Sequence, residues 1–310
     1  GLLLSRFDWA TDARGEQMTT IARRAEEAGF RDLWVMDHFR QIRQVGRAWE
    51  DIPEAYTALG YLAGITSTLR LGALVTGITH RNPVLLGKMM ATLDVLSGGR
   101  MICGLGAAWD EEEHESYAME FPSLSTRYAT LEDTLEMLPL LWGKGTPSFQ
   151  GKTFSTKELI SYPRPIQQPI PIMVGGSGEE KTLRLVARFA NSCNLFGDPD
   201  TVRRKVGILH THCEEVGRDP ADIEVTHLTR TMADIDAKAL RKRIDRLRER
   251  NTTAEEYAAR YNAGTIEDLT GLFTAYGDAG AQHSIVSLPD PTNPDAIARF
   301  GDVIANFGVS

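Results

Sequence analysis

The sequence contains few cysteines and no long apolar run. Among its 310 residues there are three cysteines, Cys103, Cys193 and Cys213, and no Cys-x-x-Cys pair. An odd number of cysteines without such a pair indicates reduced thiols, as in a cytoplasmic protein. No run of apolar residues approaches the roughly 18 that a membrane-spanning helix needs. The apolar part of the opening GLLLSRFDWA is too short for a signal peptide.

The sequence also lacks an excess of positive charge. Lysine and arginine number 34, and aspartate and glutamate number 42, which gives a formal net charge of −8. An acidic balance argues against nucleic acid or a membrane surface as a partner, because both are negatively charged. We therefore expect a small-molecule substrate, and any anionic ligand must be held by a local arrangement of donors.

Short apolar runs alternate with longer amphipathic stretches along the whole chain. Alternating strand and helix units predict a parallel sheet, and eight such units predict a closed (β/α)₈ TIM barrel with every helix outside. An open, doubly wound sheet is the alternative that the same alternation allows. The eight runs that we interpret as strands are residues 2–4, 32–36, 69–75, 101–105, 170–174, 192–196, 223–228 and 284–288.

The length suits a single barrel domain over residues 1–310, with insertions after strands 4 and 7. Residues 143–168 are rich in glycine, proline and glutamine, which predicts a loop excursion with a hairpin around Gln150-Gly151. Residues 230–264 are charged and are predicted to form a helical insertion.

Polar residues follow the second predicted strand, which ends Met36-Asp37-His38-Phe39. Active sites of barrel enzymes lie where the strands end, so an acid and an imidazole there could position a substrate and transfer a proton. The alternative is that Asp37 only caps the following turn and that His38 is an ordinary loop histidine.

Small residues mark the ends of the third and fourth predicted strands. Residues 72–77 (GALVTG) suit packing against a flat aromatic ligand, although core packing explains them equally well. Residues 104–108 (GLGAA) would let a ligand approach the backbone, and Trp109 would add an aromatic wall. This is not a dinucleotide fingerprint, because Trp109 stands where the third glycine should be. A tight barrel turn with a core tryptophan is the alternative.

A glycine-rich turn follows the fifth predicted strand, in the segment Gly175-Gly176-Ser177-Gly178. Such a turn at the start of a helix presents free backbone N–H groups, which favours a phosphate. The GK[ST] ending of a Walker loop is missing, so a nucleoside triphosphate is not expected. The alternative is a capping box, in which Ser177 and Glu180 only cap their own helix.

Two charged segments have simpler interpretations. Residues 110–115 (DEEEHE) lack the HExxH spacing of a zinc site and are predicted to be a solvated helix start, so no metal is expected. Residues 241–250 (RKRIDRLRER) predict an amphipathic helix with a solvated basic face. Because this helix follows the seventh strand, the alternative is that its basic face attracts an acidic ligand tail.

Taken together, these segments resemble the luciferase-like monooxygenase superfamily, and most closely its branch that uses the deazaflavin coenzyme F420. The resemblance covers nearly the whole chain. It is carried by residues 25–39, 69–109 and 171–196 in this order and spacing.

The resemblance implies a barrel mouth that holds a flavin or deazaflavin ring against a bulge at the third strand. A non-proline cis peptide would fall at Ala73-Leu74 in that bulge. His38 and Trp109 would lie at catalytic positions. The residues implied in cofactor binding are Asp37, Ala73, Leu74, Thr76, Gly106, Ala107, Ala108, Gly175, Gly176, Ser177 and Gly178.

One position departs from the family pattern. The sugar-phosphate dehydrogenase of this branch has a catalytic glutamate where this chain has Trp109, and nothing visible in the sequence rebuilds that acid. Glucose 6-phosphate is therefore not expected as a substrate.

The resemblance implies an F420-dependent oxidoreductase that transfers a hydride between the deazaflavin C5 and a small organic substrate. His38 would act as general acid or base, and Trp109 and Phe39 would shape an apolar pocket. An FMN-dependent luciferase-like monooxygenase is one alternative, and a non-catalytic flavin-binding protein is another. Family likeness also implies a homodimer.

Overall fold

The computed structural model describes residues 1–7 and 9–308. Within these residues, eight parallel strands form one closed sheet with helices between them. β3 pairs with β2 on one side and with β4 on the other, which closes the sheet and excludes the open alternative, so the predicted TIM barrel is confirmed. The strands are β1 (Leu2–Leu4), β2 (Asp32–Val35), β3 (Arg70–Ala73), β4 (Met101–Gly106), β5 (Ile172–Gly175), β6 (Ser192–Leu195), β7 (Glu224–Arg230) and β8 (His283–Ser287).

The order of strands around the barrel is β3-β2-β1-β8-β7-β6-β5-β4. A short extension of β3, Thr76–Gly77, also pairs with the end of β4. The helices are α1 (Arg14–Glu27), α2 (Ala55–Ile65), α3 (Pro83–Ser97), α4 (Glu111–Ser116), α5 (Leu124–Trp142), α6 (Thr182–Phe189), α7 (Pro199–Val216), α8 (Ala237–Leu247), α9 (Ala254–Arg260), α10 (Ile266–Asp278) and α11 (Pro294–Ala305).

Strand alternation produces two cores. Leu33 on β2 faces outward and belongs to the core shared with Ile21 of α1 and Leu62 of α2; all three are fully buried. The neighbouring Trp34 faces inward and packs with Ile102 of β4 inside the barrel. Successive side chains of a strand point to opposite faces, so continuous apolar runs can fill both layers.

The start of α3 fixes one part of the barrel mouth. The Asn82 side chain accepts hydrogen bonds from the N–H groups of Val84 (2.9 Å) and Leu85 (3.1 Å), and Pro83 stands at the first helical position, where no donor is needed. Gly98 ends the helix with a φ of 75°. Residues 78–81 are thereby held between the end of β3 and this cap.

The insertions follow the predicted pattern with one difference. Phe149–Gln150 and Ser155–Thr156 form the predicted antiparallel hairpin after α5. The segment after β7 contains α8 and α9, but it also contains two short parallel strands, Met232–Asp234 and Ala263–Thr265, that were not predicted. None of the helices in the described ranges combines the length and apolar character that crossing a bilayer requires. All three cysteines are buried and unpaired.

Candidate active site

A cavity of about 560 Å³ opens at the carboxyl ends of the barrel strands. Its volume falls within the range of small-molecule sites, and most of its lining is apolar. It brings together most of the residues that the sequence analysis assigned to the site. These are Asp37, His38, Leu74, Gly106, Ala107, Ala108, Trp109, Gly175, Gly176, Ser177 and Gly178.

Two of the predicted cofactor-binding residues lie behind the cavity wall. Thr76 is fully buried, and its hydroxyl is hydrogen-bonded to the Tyr56 hydroxyl at 2.7 Å. Ala73 is also buried, and its carbonyl lies so close to Gly104 that a Cβ at position 104 would be 2.1 Å from the carbonyl oxygen. Both residues therefore support the wall and do not line the cavity.

The bulge after β3 is present, but the prediction of its cis bond was one residue too early. The cis peptide joins Leu74 and Val75, not Ala73 and Leu74. The Leu74 N–H still donates to the Val35 carbonyl (2.8 Å), so the hydrogen bonds between β2 and β3 continue up to Leu74, within the predicted strand of residues 69–75.

The Val75 side chain explains two of the glycines at the mouth. A Cβ at Gly106 would lie 2.7 Å from one Val75 methyl group, and a Cβ at Gly175 would lie 2.6 Å from the other. Valine is stiff at χ1, so these contacts cannot be relieved by a simple rotation. The sequence analysis explained these glycines by a ligand or, alternatively, by a tight barrel turn and a helix cap, and it did not predict that they make room for the Val75 bulge.

The His38 imidazole is held by a buried carboxylate. His38 Nδ1 lies 2.9 Å from Glu113 Oε2, and Glu113 is fully buried. The other oxygen, Glu113 Oε1, accepts hydrogen bonds from the N–H groups of Phe39 (2.6 Å) and Arg40 (3.3 Å). An ionised carboxylate can only accept, so Nδ1 carries the proton and Nε2 is left as the basic nitrogen.

Opposing effects set the ionisation of Glu113. Burial raises the pKa of the Glu113 carboxyl, but the hydrogen bond and charge of His38 and the N–H groups of Phe39 and Arg40 outweigh it, so the pKa lies below its usual value. The carboxylate is therefore ionised at neutral pH and fixes the tautomer of the imidazole.

The prediction that residues 110–115 are a solvated helix start was wrong for two residues. Glu113 and His114 are fully buried in α4, and the His114 ring packs against His80 with centroids 5.2 Å apart. Asp110 caps the helix by accepting from the Glu113 N–H (3.1 Å), which turns the Glu113 side chain toward the mouth. The inference that no acid lies near the position of Trp109 is corrected in the same way, because Glu113 supplies a carboxylate beside His38.

Asp37 belongs to a second layer behind His38. Its oxygens accept from both terminal nitrogens of Arg81, at 2.6 and 2.9 Å, and Oδ2 lies 3.3 Å from His80 Nδ1. Burial raises the pKa of Asp37, but the hydrogen bonds from His80 and Arg81 bring it below its usual value. His80 Nε2 in turn lies 3.6 Å from Glu113, so it stands between the two buried carboxylates. Sequence analysis assigned no role to His80 or Arg81.

The two predicted aromatic walls differ in position. Trp109 is 54% exposed, lines the cavity and meets the His38 ring edge-on with centroids 5.6 Å apart. Phe39 packs instead on His80 (4.9 Å) and Tyr117 (5.0 Å). Phe39 therefore supports the His80 layer and does not shape the substrate pocket as predicted.

The glycine-rich turn after β5 forms a corner of the cavity. Gly176 has a φ of 113°, and a Cβ at Gly178 would lie 2.8 Å from the Thr182 hydroxyl. The capping box, which was the alternative interpretation of this turn, is not formed, since α6 begins at Thr182 without a side-chain cap. Among the residues that the structure describes, the buried Ser177 hydroxyl has no hydrogen-bond partner.

A buried lysine supports this corner from below. Lys205 Nζ donates to the Ser177 carbonyl (2.7 Å) and lies 3.1 Å from Glu179 Oε1. The lysine holds the turn in place through the Ser177 carbonyl, and the backbone N–H groups of the turn favour an anion in the corner.

The basic helix α8 has its charge compensated locally. Arg243 is buried and pairs with Asp290, at 2.5 Å. Arg241 pairs with Asp245 and Glu255, both at 3.1 Å. These ion pairs weaken the alternative in which α8 attracts an acidic ligand tail.

Comparison of the sequence with known proteins identifies the family of this chain. The sequence matches the family described as luciferase-like monooxygenase over residues 2–287. F420-dependent glucose-6-phosphate dehydrogenase of Kineococcus radiotolerans is 32% identical over 164 residues, which is 52% of this chain and 47% of that protein. Pyrimidine monooxygenase RutA of Stutzerimonas stutzeri is 26% identical over 297 residues, which is 93% of this chain and 76% of that protein.

A solved structure shows the same fold. It is an F420-dependent secondary alcohol dehydrogenase in complex with an F420-acetone adduct, with a TM-score of 0.78 and 21% identity, and the match covers 98% of this chain and 97% of that one. The family match extends over most of the sequence and agrees with the barrel and its cavity. The chain therefore belongs to the luciferase-like monooxygenase family and is an enzyme of this oxidoreductase family.

Proposed function

We propose that this protein is an F420-dependent oxidoreductase that transfers a hydride between the deazaflavin C5 and a small organic substrate. One observation carries the proposal. A single cavity contains both a glycine corner suited to a phosphate and an imidazole held by a buried carboxylate, His38 with Glu113. The first group suits a phosphorylated cofactor, and the second suits proton transfer to or from a substrate.

The residues present fit such a cofactor. The Ser177 hydroxyl is buried without a partner among the described residues, and a phosphate oxygen would supply one. Gly175, Gly176 and Gly178 line the same corner, and having no side chains they do not cover its backbone N–H groups, so a ligand can approach them. Leu74, Gly106 and Ala107 line the adjacent wall and would face a tricyclic ring. When bound, F420 supplies a hydride acceptor or donor at C5.

His38 handles the proton that accompanies the hydride. In alcohol oxidation the hydroxyl proton passes to His38 Nε2, and in carbonyl reduction the same nitrogen returns it. The imidazolium formed on proton uptake is stabilised by the Glu113 carboxylate, 2.9 Å from Nδ1. Asp37, His80 and Arg81 hold this pair from behind.

A second candidate is an FMN-dependent monooxygenase. The similarity to pyrimidine monooxygenase RutA extends over 93% of this chain, which supports it. FMN also has a phosphate and a tricyclic ring, so the glycine corner does not discriminate between the two cofactors. The third hypothesis, a non-catalytic flavin-binding protein, loses support because the relatives are enzymes.

Titration of the purified protein with each cofactor separates the two enzymes. We expect F420 to bind at least about tenfold more tightly than FMN, which corresponds to roughly 1.4 kcal/mol. Quenching of cofactor fluorescence gives both affinities, and oxygen uptake with each reduced cofactor gives an independent readout. Tighter FMN binding together with oxygen consumption would establish the monooxygenase instead.

The homodimer is also kept as a proposal, on family likeness alone. Light scattering of the purified protein should give twice the chain mass of 34.3 kDa, and a monomer mass would contradict it.

A further inference from the structure

A set of hydrogen-bond donors lies at the ends of three neighbouring strands, away from the glycine corner. Arg230 ends β7, Ser287 ends β8, and Ser5 follows β1; all three line the cavity. Arg230 and Ser287 are register partners in the parallel ladder, and Ser287 pairs with Leu3 on the other side. We name Arg230, Ser287 and Ser5 the donor triad.

Arg230 has no acidic partner in the described ranges 1–7 and 9–308. Its guanidinium is half-buried, and the hydrogen bond that it makes there is to the Gln44 carbonyl. A guanidinium has five N–H donors, so most of them are available to a ligand. A half-buried cation without a counterion attracts an anion more strongly than an exposed one does.

The two serines add a further donor. Ser5 Oγ and Ser287 Oγ are 2.8 Å apart, so one hydroxyl donates to the other. The hydroxyl that accepts keeps its own hydrogen for a third group. The Ser5 backbone carbonyl is already occupied by the Gln41 side chain (2.9 Å), so this corner of the cavity is rich in donors.

The carboxylates that line the cavity are compensated elsewhere. Asp37 is paired with Arg81 at 2.6 Å, and Glu113 is bonded to His38 and two backbone N–H groups. Asp110 lies 3.6 Å from Arg40. The donor triad therefore faces a cavity in which no acid among the described residues neutralises its positive charge.

We propose that the donor triad binds an anionic oxygen group, a carboxylate or a phosphate, on the substrate. This inference rests on the proposed function, because it places a substrate beside His38. The triad lies up to three strand spacings from β2, roughly 14 Å along the curved wall and less across the cavity. The substrate class is thus an alcohol or ketone whose reacting carbon is several bonds from its anionic group.

Matched acid and neutral ketones test the proposal on protein loaded with cofactor. The probes are 6-oxoheptanoate, 5-oxohexyl phosphate and neutral methyl 6-oxoheptanoate, measured by isothermal titration calorimetry. We expect at least one of the two anions to bind about tenfold more tightly than the ester, with the stronger one identifying the anionic group. Arg230→Met should abolish this preference, and Arg230→Lys should retain part of it.

Arg23→Met on α1 is the matched control, because Arg23 is an exposed arginine distant from the cavity. It should keep the full preference for the anion. The proposal is overturned if neither anion binds more tightly than the ester to the original protein, or if Arg230→Met keeps the preference.

The cofactor is the other possible source of an anion. If Arg230→Met weakens binding of F420 but not of its tail-free, phosphate-free deazaflavin analogue, the triad binds the cofactor tail and the substrate assignment is wrong. Failure of the proposed F420-dependent function is detected by a different experiment, the titration with F420 and FMN. If FMN binds more tightly, the ketone test is repeated on FMN-loaded protein, where the anion preference still decides this inference.

Discussion

At the scale of single residues, the Glu113 carboxylate decides which nitrogen of His38 carries the proton. We expect Glu113→Gln to lower kcat by about 10²-fold and to change KM little. The amide would donate to His38 Nδ1 in place of accepting from it, so Nε2 would carry the proton and lose its basicity. Steady-state kinetics at neutral pH measures both constants.

Glu115→Gln is the control for this prediction, because Glu115 is an exposed glutamate on the same helix. It should leave kcat unchanged. A Glu113→Gln enzyme with full kcat would show that His38 does not depend on this carboxylate. The low pKa of Glu113 adds a pH criterion. Because this pKa lies below the usual value of 4.5 for a glutamate, protonation of Glu113 should lower kcat only at pH values below 4.5.

The Ser177 hydroxyl gives a second prediction at this scale. Ser177→Ala should weaken F420 binding about tenfold, because a hydrogen bond to a charged group contributes roughly 1.5–3 kcal/mol. The free energy of unfolding should not fall, since the hydroxyl has no partner within the described protein. Binding of a deazaflavin that lacks the phosphate should be unaffected.

Ser161→Ala is the control here. Ser161 Oγ is also buried without a partner in the described part of the chain. The Ser161→Ala substitution should change neither the affinity for F420 nor the affinity for the phosphate-free deazaflavin. Equal loss of affinity for the phosphorylated and phosphate-free ligands in Ser177→Ala would exclude a phosphate contact.

Sequence analysis could predict His38 and the glycine corner because both directly follow apolar strands. It could not predict Glu113, because DEEEHE has the composition of an exposed helix start and its burial depends on how α4 folds over the mouth. His80 and Arg81 were missed for a related reason. Their roles come from hydrogen bonds to Asp37, more than 40 residues earlier in the chain.

At the scale of elements, β3 and its bulge depend on a close approach to β4. A Cβ at Gly104 would lie 2.1 Å from the Ala73 carbonyl oxygen, and neither backbone can move freely inside a closed sheet. We expect Gly104→Ala to destabilise the fold by about 1–3 kcal/mol. Urea unfolding followed by circular dichroism measures the change.

Gly207→Ala is the matched substitution in a helix. Gly207 lies within α7, and nothing described lies within 4 Å of a Cβ added there. Alanine should stabilise the protein by about 0.5–1 kcal/mol, because it restricts the unfolded chain and favours the helix. Opposite signs for the two substitutions are expected, and a neutral Gly104→Ala would contradict the close approach.

Most element positions could be predicted because strands and helices differ in apolar period and because caps such as Asn82-Pro83 mark helix starts. The predicted position of the cis bond was one residue too early. The exact end of a strand ladder depends on hydrogen bonds with the neighbouring strand, which the sequence does not show. The strands Met232–Asp234 and Ala263–Thr265 were missed because their pairing joins segments on either side of two helices.

At the scale of the whole molecule, the barrel was predictable because one alternating pattern of apolar strands and amphipathic helices runs through the entire chain and fills two cores.

His227 of β7 is buried in the outer core, between the sheet and the helices. Its ring stacks on Tyr276 with centroids 3.6 Å apart, and its Nε2 has no partner among the described residues. Burial lowers the pKa of His227 from 6.5 to about 3, with a smaller contribution from His283.

This histidine makes the free energy of unfolding depend on pH. Below pH 6.5 the unfolded chain binds a proton that the folded protein does not bind until about pH 3, so stability falls as the pH falls through this window. His227→Phe removes the titrating group and keeps a stacked ring. In urea unfolding below about pH 6, the free energy of unfolding of the variant should rise relative to that of the original protein by about 1 kcal/mol for each unit by which the pH falls. His210→Phe, at an exposed histidine of α7, is the control and should follow the pH dependence of the original protein. If the free energies of unfolding of His227→Phe and of the original protein ran parallel with pH, the buried ring would be protonated in the folded state as well.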